Sequence, residues 1–251
     1  MSVVQDSGRG YHFIPSVRQY SAGVRATQGH GLHRCTFAEL TPLSEGLSRA
    51  VEQLAGLGLP THALCALELR SPRPQSEGAF DAFNNLYRKL LDQAGLLIQG
   101  ANPIARTNVC PVAQAPDEPA LHAFVYSAPQ EDQGTAVDFV VSGSAEAPEA
   151  RGSYRLYAAA PDDLTPDGIV IKANWVVDEM ERRLDTLGAS WSACSAVEVY
   201  TARSAQAALP VLDERVRSGR PATWHNAAPP VVGLEFEMDC RRVSSEKYLG
   251  D

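Results

Sequence analysis

Glu235 and Glu237 stand two residues apart in Val231-Val-Gly-Leu-Glu-Phe-Glu-Met238, where apolar and acidic residues alternate. Period-two alternation puts Leu234, Phe236 and Met238 on one face of a strand and both glutamates on the other, roughly 7 Å apart. On most strands such a pair is a wet edge. In a cavity, a glutamate such as Glu235, or a neutral histidine such as His225, shuttles protons. Other chemistries are poorly served. His30-Gly-Leu-His33-Arg-Cys35 has a spacing that fits no well-formed zinc site, and no second cluster completes four ligands. No Gly-x-Ser-x-Gly elbow is present, and the glycine-rich patches lack a phosphate-loop lysine. Neither a metal nor another cofactor is expected.

The whole chain narrows the partners. Its 251 residues carry a formal charge of −8, so no broad basic surface is expected and nucleic acid is an unsuitable partner. A small anion remains suitable, because one buried arginine holds a carboxylate even inside an acidic protein. Hydrophobic residues make up 44% and charged residues 21%, enough apolar material for a sizeable core without staples. The five cysteines are scattered and never form C-x-x-C. Free thiols in a reducing compartment fit them better than a disulfide framework. No basic-then-apolar leader and no long apolar run is visible, so a cytoplasmic location without a membrane partner is expected.

A repeat organises the chain. Leu54–Leu69 lies over Leu184–Val199 at an offset of 130, with Leu54/Leu184, Leu57/Leu187, Gly58/Gly188, Ala63/Ala193, Ala66/Ala196 and Glu68/Glu198 identical. Each segment closes an amphipathic helix, carrying Leu47, Ala50, Val51 and Leu54 in one and Ala173, Val176, Val177, Met180 and Leu184 in the other. Thr41-Pro42 and Thr165-Pro166 read as N-caps followed by proline, and Gly58 and Gly188 as left-handed C-caps. A short strand follows each time, Ala63–Leu69 and Cys194–Tyr200, then a second helix. One carries Phe80, Phe83, Leu86, Tyr87, Leu90 and Leu91; the other carries Ala205, Ala208, Leu209, Leu212 and Val216, with Ser204 as its cap. Extended runs over Ala120–Tyr126 and Val231–Met238 close the halves. The joint falls in the polar stretch Ser127–Thr135, giving domains 1–130 and 131–251. Each is expected to be an α+β unit, a mixed sheet with two helices on one face, whose other, polar face must be covered, usually by another copy.

That order of elements, with particular residues at the joints, resembles the RidA/YjgF family of enamine and imine deaminases, once per half. The resemblance implies two tandem RidA-like (chorismate mutase-like) domains and a homotrimer with pockets between neighbouring domains. Asn102-Pro-Ile-Ala-Arg-Thr-Asn-Val109 resembles the family's Pro-x-Arg-x-x-Val signature, which implies that Arg106 grips a substrate carboxylate and that the backbone near Asn108 donates to the reacting end. Phe83-Asn84-Asn85-Leu86-Tyr87 resembles the helix just before it. Gln19-Tyr20-Ser21-Ala22 resembles the segment whose tyrosine borders the pocket, and Asp138–Gly143 the strand ending in Ser-Gly, implying roles for Tyr20, Ser142 and Gly143. Glu235 falls at the position of a pocket glutamate. In the second half Thr223 stands where the arginine is due, and in the first His122 replaces the glutamate. Each half keeps what the other lacks, so a composite pocket is expected.

The implied activity is hydrolysis of an enamine or imine carboxylate to a 2-oxo acid and ammonia, with 2-aminomuconate or a substituted analogue from aromatic-compound breakdown as the substrate. A chorismate-type hydrolase and a non-catalytic metabolite-binding module are the alternatives.

Overall fold

The computed structural model describes residues 3–131, 136–149 and 151–250; residues 132–135 of the expected joint lie outside this set. The first half contains β1 (Gln5–Asp6), β2 (Tyr11–Phe13), β3 (Gly23–Ala26), β4 (His30–Pro42), α1 (Leu43–Gly56), β5 (Leu64–Arg70), α2 (Glu77–Gln93), β6 (Ala105–Pro111) and β7 (Ala120–Pro129). The second contains β8 (Phe139–Ala145), α3 (Tyr154–Tyr157), α4 (Pro166–Leu187), β9 (Ala196–Tyr200), α5 (Leu209–Arg215), β10 (Thr223–His225), β11 (Ala227–Ala228), β12 (Glu237–Arg242) and β13 (Ser245–Leu249).

Local chemistry accounts for most boundaries. Thr165 Oγ1 accepts from the Gly168 amide at 3.2 Å with Pro166 in the first turn, and Gly188 at φ 67° ends α4. Thr41 does not cap α1: it is still in β4, paired with Leu121. Ser204 makes no capping bond either, and the stripe expected over 205–216 divides into a 3₁₀ turn and the seven-residue α5. Pro210 has no amide hydrogen and fits only a first helical turn, so a continuous helix cannot pass through it.

The strands form a seven-stranded sheet, β1-β2-β3-β8-β12-β9-β10, and a six-stranded one, β11-β6-β5-β7-β4-β13. The repeat shows in their matching parallel pairs, β5 with β6 and β9 with β10. The halves also trade strands. β3 runs antiparallel to β8, adding the amino-terminal hairpin to the second half's sheet, while β13 runs parallel to β4 on the first half's sheet.

Leu47, Leu54, Phe83 and Leu91 of α1 and α2 pack on Leu67, Leu121 and Phe124 of one sheet. Val176, Met180 and Leu184 of α4 pack with Leu212 of α5 on Val197, Phe236 and Met238 beside the other. The opposite faces of the two sheets meet each other, so the face expected to need another copy is covered within the chain. At one end Tyr11, Phe13 and Val24 meet Leu32, Cys65 and Val125. At the other, an ionic network runs between the sheets. Arg34 forks onto Glu68 at 2.6 and 2.8 Å, and Arg241 joins Glu198 and Glu246, each at 3.0 Å.

Arg34, Arg70 and Arg241 hold the Glu68 carboxyl well below the usual range, outweighing the burial that opposes them. Because its folded pKa is depressed, Glu68 contributes stability above the unfolded carboxylate range and loses it as pH falls through the folded value. Glu68→Gln removes one partner from a buried cluster, and a loss of about 3–5 kcal/mol in urea unfolding at pH 7 is expected. The deficit should shrink in acid.

Candidate active site

A cavity of about 40 Å³ opens where β6 of one sheet meets β8 and β12 of the other. Tyr20, Phe80, Arg106, Asn108, Gly143 and Glu237 line it, with Glu149 and Tyr154 at its side and Leu234 on an apolar wall. The Ser142 hydroxyl fastens the strands: it accepts from the Arg106 amide at 3.0 Å and donates to the Ser21 carbonyl at 2.6 Å. Ser142 is fully buried and does not line the cavity, so its place is behind the wall.

Arg106 is only 4% exposed. Its Nη1 donates to Asn84 Oδ1 at 2.9 Å, and the guanidinium lies 4.6 Å from the Tyr20 ring centre and 4.9 Å from that of Tyr87, with Phe80 and Phe83 within 6 Å. No carboxylate of the described residues comes within ion-pairing distance. A buried cation held by one amide oxygen and aromatic faces lacks the anion that burial normally demands. Asn84, Phe80, Phe83 and Tyr87 come from one face of α2, which explains why that helix precedes the arginine strand.

Asn108 follows Arg106 on the same face of β6. Its Oδ1 accepts from Ser71 Oγ at 2.9 Å, while its buried Nδ2 has no hydrogen-bond partner among the described residues. The Asn108 side chain is thus an available donor beside the cavity.

Glu237, on β12, lines the same cavity as Arg106 from the other sheet. Burial, then the neighbouring Asp239 carboxyl, pushes its pKa well above the usual carboxyl range, while Arg106 pulls the other way. Gly143 makes room for it. A Cβ there would sit 2.3 Å from Glu237 Oε1 and 3.1 Å from the Thr107 methyl group, so any side chain at this position would displace the Glu237 carboxyl group. A third carboxylate, Glu149, accepts from the Tyr20 hydroxyl, from Arg183 Nη2 at 2.8 Å and from Ser16 Oγ at 3.0 Å. It is charge-compensated by the fully buried Arg183.

Tyr20, Arg106, Asn108 and Gly143 therefore come together, but Glu235 and His225 lie elsewhere. Glu235 is not in a strand. Gly233 turns the chain at φ 91°, and the Glu146 carboxylate accepts the amides of Glu235 and Phe236 at 2.7 and 3.0 Å, so β12 begins only at Glu237. The Glu235 side chain then pairs with Arg203 at 2.7 Å. His225 sits at the sheet edge, 2.7 Å from Glu198 Oε2 and stacked on Tyr200. Glu237, Glu149, Asn84 and Arg183 complete the set that residue patterns alone missed. His33 lies 2.9 Å from Ser245 Oγ, and no metal-holding cluster of three such side chains occurs among the described residues.

The sequence model of the family described as 2-aminomuconate deaminase CnbZ matches residues 3–247. The chain belongs to the CnbZ family. This membership makes it an enzyme, a deaminase, rather than a binding module, and it favours deamination over the chorismate alternative. A Comamonas testosteroni protein named 2-amino-5-chloromuconate deaminase is 36% identical over 241 residues, 96% of each chain. Among solved structures, a chorismatase covers 96% of this chain and 78% of its own at a TM-score of 0.53 and 13% identity, which speaks to shared fold alone. The YjgF protein of E. coli covers 45% of this chain and 84% of its own, at 14% identity and a TM-score of 0.31. The CnbZ family chain is thus α+β and shares its fold with the chorismatase. None of its helices among the described residues is long and apolar enough to cross a membrane.

Proposed function

We propose that this cavity hydrolyses 2-aminomuconate, or an analogue substituted on the carbon chain, to the 2-oxo acid and ammonia. The observation that carries it is Arg106, a buried cation with no carboxylate partner among the described residues, facing a cavity that also holds Glu237, whose pKa burial raises. The planar guanidinium fork suits the carboxylate beside the amino-bearing carbon, and Asn108 Nδ2 adds a donor to the same end. Leu234 and Val231 then face the hydrocarbon chain.

Glu237 moves the protons. Its carboxyl group gives a proton to the conjugated carbon as the enamine nitrogen pushes its lone pair inward, forming an iminium ion. The resulting carboxylate takes a proton from the water that adds to the iminium carbon, the one bearing nitrogen. It passes that proton to nitrogen, and ammonia leaves as the carbonyl forms, the hydroxyl proton returning to the Glu237 carboxylate and restoring the acid. The balance is substrate plus water to 2-oxo acid plus ammonia. Positioning and one well-placed acid–base group suffice for an electrophile this reactive. Arg106 and Glu237 lie in the two halves of one chain, so a single chain supplies both groups. A reducing cytoplasmic setting suits the five buried, free cysteines.

Purified protein mixed with 2-aminomuconate is expected to release ammonia as the diene absorbance decays, and to leave chorismate intact. Pyruvate or hydroxybenzoate from chorismate, with no ammonia from 2-aminomuconate, would refute the assignment.

A further inference from the structure

We infer that the second carboxylate of the substrate docks in an outer chamber beside the cavity, with Arg151 as its cation. This rests on the proposed deaminase reaction and adds how the far end of a dicarboxylate is recognised. The inner cavity, about 40 Å³, is far smaller than the roughly 300–1,000 Å³ of ordinary ligand sites, so it receives one end of a six-carbon diacid. A chamber of about 510 Å³ adjoins it, and Phe80 and Tyr154 line both spaces. The remainder of the substrate therefore extends past these two rings.

Four charged side chains line the chamber: Arg18, Glu77, Asp81 and Arg151. Three are committed. Arg18 pairs with Asp81 at 2.8 Å, and Glu77 accepts from Ser153 Oγ and the Arg155 amide, each at 3.0 Å. Arg151 has no ion-pair or hydrogen-bond partner among the described residues. The uncommitted charge of the chamber is thus positive, as a distal carboxylate requires. Because Arg151 is exposed, its contribution is modest and sensitive to salt.

The test compares two stable inhibitors of equal chain length, muconate (two carboxylates) and sorbate (one), against turnover of 2-aminomuconate. In the unaltered enzyme muconate is expected to inhibit about 5- to 10-fold more tightly than sorbate at low ionic strength, an advantage that shrinks with added salt. Arg151→Ala is expected to erase that advantage and to raise KM for 2-aminomuconate by a similar factor, the effect falling on KM rather than kcat. Arg151→Lys keeps the charge and most of the preference. Equal inhibition by the two acids in the unaltered enzyme, or an undiminished muconate preference in Arg151→Ala, overturns the second subsite. Arg106→Ala separates the two ideas: full turnover in that variant overturns the reaction itself, whereas lost turnover beside an unchanged Arg151→Ala overturns the subsite alone.

Discussion

Glu237→Gln is expected to lower kcat by about 10²- to 10⁴-fold while changing KM little, because it removes the proton carrier and keeps the shape. The amide fills the same volume against Gly143 but neither gives up nor accepts the proton that carbon, water and nitrogen exchange in turn. Stability should move the other way. Burial and Asp239 raise the folded pKa of Glu237 above its unfolded value, so its favourable contribution is complete below the unfolded carboxyl range and is lost as pH rises through the folded value. Glutamine has no such dependence. The melting temperature of Glu237→Gln relative to the unaltered protein is therefore expected to rise from pH 4 towards pH 8, while activity is nearly abolished throughout. A variant that keeps its kcat would remove Glu237 from the chemistry.

Arg106→Ala is expected to lower kcat/KM by about 30- to 1,000-fold, since truncating one partner of a buried charge pair costs about 2–4 kcal/mol. Lysine at this position keeps the charge and loses the fork, and an intermediate loss is expected. The folded state has less at stake. Among the described residues Arg106 donates one side-chain bond, to Asn84, and has no carboxylate partner, so removing it strands no buried anion. Thermal unfolding within a few degrees of the unaltered protein would show that the activity loss is a binding effect. The aromatic cage contributes by keeping water off the guanidinium, which makes its contact with a carboxylate worth more than it would be at the surface.

Local grammar made the frame legible in the sequence. The apolar stripes placed α1, α2 and α4, Thr165 and Gly188 bounded α4, and the repeat implied two equivalent units whose parallel strand pairs the structure contains. What stayed hidden depends on partners distant in the chain. The strand exchange of β3 and β13 leaves no local mark, because any β-rich run pairs equally well with its own half or the other. The placement of Arg106, Tyr20, Asn108 and Gly143 at one cavity was readable from motif resemblance, but which of Glu235 and Glu237 lines it was not. Both have the same parity, so alternation cannot separate them. The deciding contact is Glu146, 89 residues before Glu235, whose carboxylate takes the amides a longer strand would have offered to a neighbour. His225 lies outside the cavity for a similar reason, since its partner Glu198 lies on β9 and holds it at the sheet edge. Gly233 was the available warning, a glycine inside an otherwise regular strand pattern.

The decisive measurement is calorimetric titration of muconate into the unaltered protein and into Arg106→Ala at pH 7. The expected result is saturable one-to-one binding in the first and at least about 30-fold weaker binding in the second. Equal affinity in both proteins would mean that the anion is held somewhere other than the cavity between the sheets.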